Sequence, residues 1–344
     1  MLSFECDYNN GAHPDVMRHL VETNAERTST YGFDIYSEQA RRKIREACAC
    51  SEADVFFLGG GTQTNATVID AMLRSYEAVV TVETGHIAVH EAGAVEHSGH
   101  KVITLPSHDG RLTAADLHRF MLEYEADESR DHVAQPGMVY ISLPTELGTL
   151  YTAQELEQIS NTCREFQLPL FVDGARLGYG IAASGGDLSL PLLARLCDVF
   201  YIGGTKMGAL CGEAVVFPKG APRGFFPLVK QHGALFAKGR LCGVQFDALF
   251  TDGLYLHIAD HAIRMARRLR ELLAAKGYRF YIDSPTNQQF VILPNEEVKR
   301  LEKLVEFTHW CPFDEHHFVC RFVTSWATTE AELTALETIL DAQE

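Results

Sequence analysis

Seven short runs rich in β-branched and aromatic residues, most of them separated by helical patterns, constrain this chain more than any other feature. They are Asp54–Leu58, Ala78–Val82, Lys101–Leu105, Met138–Leu143, Leu168–Asp173, Asp198–Ile202 and Glu213–Phe217. Runs of this length and composition read as buried strands. The helical stretches between them are long enough for crossovers, and such alternation builds a mostly parallel α/β sheet with helices on both faces. Helices are predicted from Ser37 to Ala47, with serine as cap, and from Gln63 to Ser75, with Ala66, Ile69 and Leu73 on one stripe. A short helix is predicted over His86–Val95, and capping-box patterns open two more, at Thr113 with Asp116 and at Thr152 with Glu155. The stretch before Ser37 reads as turn-rich and polar.

After about Leu241 the pattern changes. A long helix is predicted from Leu254 to Lys276, with Ile258, Ala262, Met265, Leu269 and Leu272 on one face and Gly277 as its stop. Short strands (Arg279–Ile282, Phe290–Leu293, Phe318–Val323) then alternate with helices after Asn295 and after Thr329. The expected organisation is a large domain over 1–245 and a smaller C-terminal α/β domain over 246–344.

Charge and cysteine usage exclude several classes of function. With 30 basic against 46 acidic side chains, the formal charge is −16, which argues against nucleic acid or an anionic membrane surface as partner. No apolar run approaches the roughly 18 residues of a membrane span. The opening MLSFECDYNNG lacks the basic-then-apolar pattern of a signal peptide. Nine scattered cysteines without a CxxC pair fit a reducing cytoplasm better than a disulfide framework or a zinc site. The expectation is a cytoplasmic protein with no metal.

Chemistry-bearing residues gather where the predicted strands end. In DVFYIGGTKMG, two glycines break an apolar run and present Lys206 at the strand's carboxyl end, where open α/β sheets place their ligands. A partly desolvated lysine there can lose its proton and attack a carbonyl to form a Schiff base, and a solvated loop lysine is the alternative. Gly59-Gly60-Gly61-Thr62-Gln63-Thr64-Asn65 lies between a strand and a helix, and its backbone amides suit an anion. It is neither Walker A nor GxGxxG, so a single phosphate fits better than a dinucleotide, and a tight turn without ligand is the alternative. In FVDGAR, Asp173 can hold a protonated ring nitrogen and Arg176 can grip a carboxylate bidentately, unless the two pair with each other.

His86 and His90, four apart, share a helix face. One imidazole can stack on an aromatic cofactor while the other handles protons near neutral pH. As a metal pair they lack a third ligand, and His97 and His100 read as ordinary histidines. Lys230, Lys238 and Arg240 form a basic cluster after the lysine strand. Arg321, flanked by apolar residues in Val319–Val323, needs a partner because an unpaired buried charge is costly.

Together and in this order, these elements resemble the L-threonine aldolase family of fold-type-I pyridoxal-phosphate enzymes, from Asp7 to about Leu340. The carriers are Tyr31-Gly32-Phe33-Asp34, Gly61-Thr62 with Asn65, His86 with Glu91, Asp173–Arg176, Thr205-Lys206 and Arg321. The resemblance implies that Lys206 forms the Schiff base with pyridoxal 5′-phosphate, Asp173 holds its ring nitrogen and His86 stacks on the ring. It implies a phosphate site of Gly60, Gly61, Thr62 and Thr205, with Arg176 nearby and Lys230 or Arg240 from a neighbouring subunit. Arg176 and Arg321 would hold the amino acid's carboxylate, with Tyr31 and Cys6 in the substrate-binding set. His86 or His90 would be the base, and a homo-oligomer is implied by Tyr31, which resembles a tyrosine that reaches across a dimer interface.

The chain departs from the family pattern at Cys6-Asp7-Tyr8, at His90 and at Thr145-Glu146-Leu147-Gly148-Thr149. These variants look more like a branch that includes phenylserine aldolase. The implied reaction is cleavage of a 3-hydroxy amino acid to glycine and an aldehyde. Another reaction of the same cofactor such as β-elimination, a binding module without turnover, and a dinucleotide oxidoreductase are the alternatives.

Overall fold

A computed structural model describes residues 1–342. At its centre is a seven-stranded sheet built from β1 (Asp54–Leu58), β2 (Glu77–Val82), β3 (Lys101–Leu105), β4 (Gln135–Ser142), β5 (Leu170–Asp173), β6 (Val199–Gly203) and β7 (Glu213–Phe217). All seven predicted strands are present, with ends displaced by a few residues. Their order is β1-β7-β6-β5-β4-β2-β3. Every pairing is parallel except those of β7, which runs antiparallel to both β1 and β6.

The sheet is buried on both faces, and alternate side chains divide between two cores. Val80, Ile141, Val172, Phe200 and Val216 face one core; Val79, Tyr140, Phe171, Tyr201 and Val215 face the other. Period-two alternation of apolar residues on both sides explains why these strands read as unbroken apolar runs.

A second, antiparallel sheet holds β8 (Arg279–Phe280), β9 (Gln288–Pro294), β10 (Thr308–Pro312) and β11 (His317–Val323), in the order β10-β11-β9-β8. The helix Leu254–Ala275 packs Met265, Leu269, Leu272 and Leu273 into this part's own core. Gly277, at φ +77°, follows it as predicted. The short strand Leu2–Ser3 pairs in parallel with Val305–Glu306, and Phe4 joins the same core. The chain's first residues therefore return to its C-terminal portion, a long-range pairing with no local signal.

Several helix boundaries differ from expectation. The stretch before Ser37 is not all turn: Pro14–Thr23 is a helix, capped by the His13 ring and with proline at its first position. The next helix begins at Ile35 with Asp34 as its cap, and Ser37 lies within it, donating its hydroxyl to Asp34. The predicted helix over His86–Val95 is two single turns, His86–Val89 and Ala94–His97, interrupted where Ala92 and Gly93 adopt positive φ. The capping box at Thr152 is complete; at Thr113 the hydroxyl accepts from the Asp116 amide. Short helices at Leu177–Ala183, Leu190–Leu196, Phe225–Gln231 and Arg240–Leu249 add to the predicted set. Among the described residues, no helix is long and apolar enough to cross a membrane. Gln343 and Glu344, the last positions of the expected C-terminal domain, lie outside the described residues.

Candidate active site

The carboxyl ends of β1, β4, β5 and β6 converge on one cavity of about 310 Å³. β1 delivers Gly59, Gly60, Gly61 and Thr62; β4 delivers Ser142 and Glu146; β5 delivers Asp173 and Arg176; β6 delivers Thr205 and Lys206. His86, Tyr8 and Cys211 complete the wall with Glu213, the first residue of β7. Because β7 is antiparallel, its first residue lies at the same edge as the others' last, directly opposite Gly203.

Asp173 is the most heavily supported side chain in the site. Its Oδ1 accepts from the Tyr201 hydroxyl at 2.5 Å and the Ala175 amide at 2.9 Å. Its Oδ2 accepts from the Tyr140 hydroxyl at 2.5 Å and from Asn65 at 2.9 Å. Burial alone pushes this carboxyl up, but the nearby His86 and these donors outweigh it and hold the group below its ordinary range. A carboxylate kept ionised at 4 % exposure attracts a cationic nitrogen. Gly174 follows because the backbone there runs against β6: an added Cβ would collide with the Tyr201 carbonyl oxygen.

Asp173 and Arg176 do not pair with each other. Arg176 instead makes a bidentate ion pair with the fully buried Asp7, Nε to Oδ2 at 2.7 Å and Nη2 to Oδ1 at 3.0 Å. Asn287 also donates to Asp7 at 2.9 Å. Burial works against the Asp7 carboxylate, yet Arg176 and Lys206 hold it below the ordinary carboxyl value.

Lys206 lies over the Tyr8 ring, its amine 5.8 Å from the centroid and without an ion-pair partner among the described residues. Burial and the Arg176 charge lower it from an ordinary lysine, against the pull of Asp7, Asp173 and Glu213. A lysine so placed reaches its neutral, nucleophilic form more readily.

Nδ1 of His86 donates to Glu91 at 2.6 Å, and Asn65 donates to that same oxygen at 2.7 Å. Burial lowers its imidazole, but Glu91 and Asp173 outweigh this and raise it. The Glu146 carboxylate fixes the same turn, accepting from the His86 amide at 2.9 Å and the Ser142 hydroxyl at 2.5 Å. His90 stands beside it, ring centroids 5.6 Å apart, and next to Trp310 at 5.9 Å. Burial and the charge of His86 lower the His90 imidazole.

Arg321 stacks on Trp310 at 5.3 Å and donates to Gln288 and Thr308, both at 3.1 Å. Its buried Nε has no hydrogen-bond partner among the described residues. Burial, then the Arg176 charge, lowers it to about 10. Two guanidiniums within reach of each other, one lacking a carboxylate, describe a site for an added anion. Cys6 lies between Glu5 and Asp7 within electrostatic reach of Arg321, and burial raises its thiol.

Of the expected site residues, Cys6, His90 and Arg321 stand outside the cavity's lining, and so do Tyr31, Lys230 and Arg240. Lys230 sits over the Tyr31 ring at 4.8 Å, and Tyr31 belongs to a separate surface hollow with Phe33 and Phe226. Arg240 donates to the carbonyls of Thr23 at 2.7 Å and Glu26 at 2.8 Å. Tyr140, Tyr201, Ser142, Glu146 and Glu213 join the site without standing among the residues the sequence predicts for it. Glu213 carried a signal, since it is a lone carboxylate opening a strand otherwise apolar, EAVVF.

Comparison with known proteins gives one family and consistent relatives. The profile of the β-eliminating lyase family matches residues 10–291. The low specificity L-threonine aldolase of Pseudomonas aeruginosa is 32% identical over 302 residues, covering 87% of this chain and 86% of that one. A second, from another Pseudomonas strain, is 30% identical over 97% of this chain and 95% of its own length. Among solved structures, the threonine aldolase of Leishmania major is 40% identical, with a TM-score of 0.94 and coverage of 99% and 98%. A histidinol-phosphate aminotransferase from Clostridium acetobutylicum, at 13% identity and a TM-score of 0.75 over 99% and 98% of the two chains, shares the fold.

Proposed function

The chain belongs to the β-eliminating lyase family, and from that premise we propose that it is a pyridoxal-phosphate-dependent aldolase, cleaving threonine, allo-threonine or a related 3-hydroxy amino acid to glycine and an aldehyde. The threonine aldolases among its relatives and structural neighbours support this reading. The observation that carries it is a lysine amine after a strand end, without an ion-pair partner among the described residues, in one cavity with an ionised aspartate, a histidine and a glycine-rich turn.

The donor set fits the cofactor. Lys206 would engage its aldehyde, Asp173 its ring nitrogen, His86 its ring face, and Gly60, Gly61, Thr62 and Thr205 its phosphate. When bound, pyridoxal phosphate supplies a carbonyl for an amine and an electron-poor ring that draws off the electron pair released at Cα. The chain's own residues do the rest. Arg176 and Arg321 hold the substrate carboxylate and thereby fix the orientation of the amino acid, which lowers the entropy cost of reaching the cleavage geometry. Asp7 keeps the Arg176 guanidinium in place. With Nδ1 of His86 directed at Glu91, its Nε2 is the atom that takes the 3-hydroxyl proton, directly, through water, or by way of His90.

Purified protein supplied with the cofactor should release acetaldehyde or benzaldehyde from a panel of L- and D-threonine, allo-threonine and phenylserine. No aldehyde from any member would end this reading. Pyruvate and ammonia from serine would favour elimination instead.

The assembly is a homo-oligomer. The exposed side chains of Tyr31, Phe33 and Phe226 around one hollow support this, since such a patch is apolar surface that a second subunit would cover. A cytoplasmic location is supported by nine free cysteines, including a partly exposed set.

A further inference from the structure

Thr205 and Glu213 face the cofactor cavity, and their hydrogen bonds cannot all persist once a phosphate is present. The Thr205 hydroxyl accepts from the Gly212 amide at 3.1 Å and donates to Glu213 Oε1 at 2.8 Å. Glu213 Oε2 accepts from the Gly204 amide at 3.0 Å. An ionised glutamate only accepts, so the single hydroxyl proton of Thr205 is committed to it. Phosphate oxygens in the dianion also only accept. Thr205 therefore cannot donate to both while Glu213 is ionised, and two anions would share one half-buried threonine.

Resting on the cofactor reading above, we infer that Glu213 is a positioning residue that takes up a proton when the cofactor's phosphate binds. The protonated carboxyl donates to Thr205 Oγ1, and the Thr205 proton turns to the phosphate. Every group is then satisfied: Thr205 accepts from Gly212 and Glu213 and donates once, while Glu213 Oε2 keeps the Gly204 amide. The proton comes from solvent, and no bond other than these hydrogen bonds changes.

Glu213 is suited to the role. It is 3 % exposed, and burial raises it to about 7, against the hydrogen bonds from Thr205 and Gly204 and the charge of Lys206. The other titratable groups facing it are Asp173 from β5, Tyr201 from β6, Tyr255 from the long helix, and Cys242 with its neighbour Cys211. None of these is hydrogen-bonded to Thr205, so Glu213 alone couples its protonation to the direction of that hydroxyl.

The test uses pyridoxine 5′-phosphate, which carries the ring and phosphate but no aldehyde, binding to the cofactor-free protein. Calorimetry in buffers of different ionisation heat counts the protons exchanged. At pH 8, where a group titrating near 7 is mostly ionised, the wild type should take up roughly 0.9 proton per site more than Glu213→Gln. Above pH 7 its Kd should climb about tenfold per pH unit faster than that of the variant, and below pH 6 the two should converge. Glutamine imitates the protonated carboxyl by donating and accepting at once. Thr205→Ser should keep the extra uptake and Thr205→Val should lose it, which separates a relay from a merely structural contact and serves if the glutamine variant does not fold. Binding with equal proton uptake and parallel pH profiles in wild type and Glu213→Gln, or undiminished uptake in Thr205→Val, overturns the role of Glu213 while leaving the cofactor reading intact. Failure of the wild type to bind the phosphorylated ligand overturns both.

Discussion

At the scale of single residues, the site depends on buried charges that each have a stated partner or conspicuously lack one. Asp7 is the partner of Arg176, and removing one member of a buried pair costs on the order of 3–5 kcal/mol. Asp7→Ala should therefore lower stability by about that much in denaturant unfolding near neutral pH. The folded Asp7 carboxyl lies below its unfolded value, so its contribution is complete above the ordinary carboxyl range of about 3.9. It is lost as pH falls through the lower folded value. The difference between wild type and variant should therefore shrink in acid.

Arg321 is the opposite case, a buried guanidinium with an orphaned Nε. A charge-assisted hydrogen bond is worth roughly 1.5–3 kcal/mol, so Arg321→Ala should weaken amino-acid binding about ten- to hundredfold. Its affinity for the cofactor should be unchanged in the same titration. Lys206→Ala should abolish both the yellow colour of the cofactor-loaded protein and aldehyde release; retention of either would remove Lys206 from its assigned place.

At the scale of elements, the sheet's direction of travel decides which side chains meet. Six strands, β1 to β6, run the same way and bring their carboxyl ends to one edge, and four of them feed the cavity. β7 contributes Glu213 there only because it runs the other way. No local pattern distinguishes a parallel from an antiparallel apolar strand, so the lone carboxylate that opens EAVVF could be noticed in the sequence but not placed at the cavity's edge. Asp34 rather than Ser37 caps the second helix: both residue types can cap, and the Asp34 carboxylate accepts from the Ser37 amide and hydroxyl.

The capping box expected at Thr152 with Glu155 is complete, the one at Thr113 is not, and a further box forms at Thr329. The capping box Thr329–Glu332 is complete and anchors a helix that buries Leu333, Leu336 and Leu340. Thr329→Ala should cost about 1 kcal/mol in unfolding free energy, without altering aldehyde release, as thermal denaturation and a standard assay would show.

At the scale of the whole molecule, four cores organise the described chain: two against the faces of the central sheet, one in the C-terminal part, which also takes in Phe4, and a small one that joins Leu147 to Phe290, Ile292 and Val319 of the antiparallel sheet. The division expected at 245/246 falls inside the helix Arg240–Leu249, whose Phe246, Ala248 and Leu249 pack in the central sheet's core. We propose instead that the domains part within the long helix Leu254–Ala275, with the N-terminal strand held by the second unit through Leu2–Val305 and Ser3–Glu306. Tyr31, Lys230 and Arg240 lie outside the cavity of their own chain, and their proposed roles require a second subunit. Phe33 is 67 % exposed and, among the described residues, packs against one aromatic ring, that of Phe226 5.6 Å away. Phe33→Asp should shift the light-scattering mass toward a monomer; a wild type that is already monomeric would refute the oligomer.

The amino-acid sequence by itself determined the strand set, the parallel α/β class and most of the cavity's named residues: Lys206, Asp173, Arg176, His86, Thr205 and the Gly59–Thr62 turn. These are legible because each depends on local chemistry, an apolar run ending in a break followed by a reactive group. Only the tertiary structure decided that Arg176 belongs to Asp7, that Tyr140, Tyr201 and Asn65 hold Asp173, and that Glu213 stands beneath Thr205. Those contacts join residues between 8 and 169 positions apart. Strand order and strand direction, rather than local residue preference, bring most of these partners together.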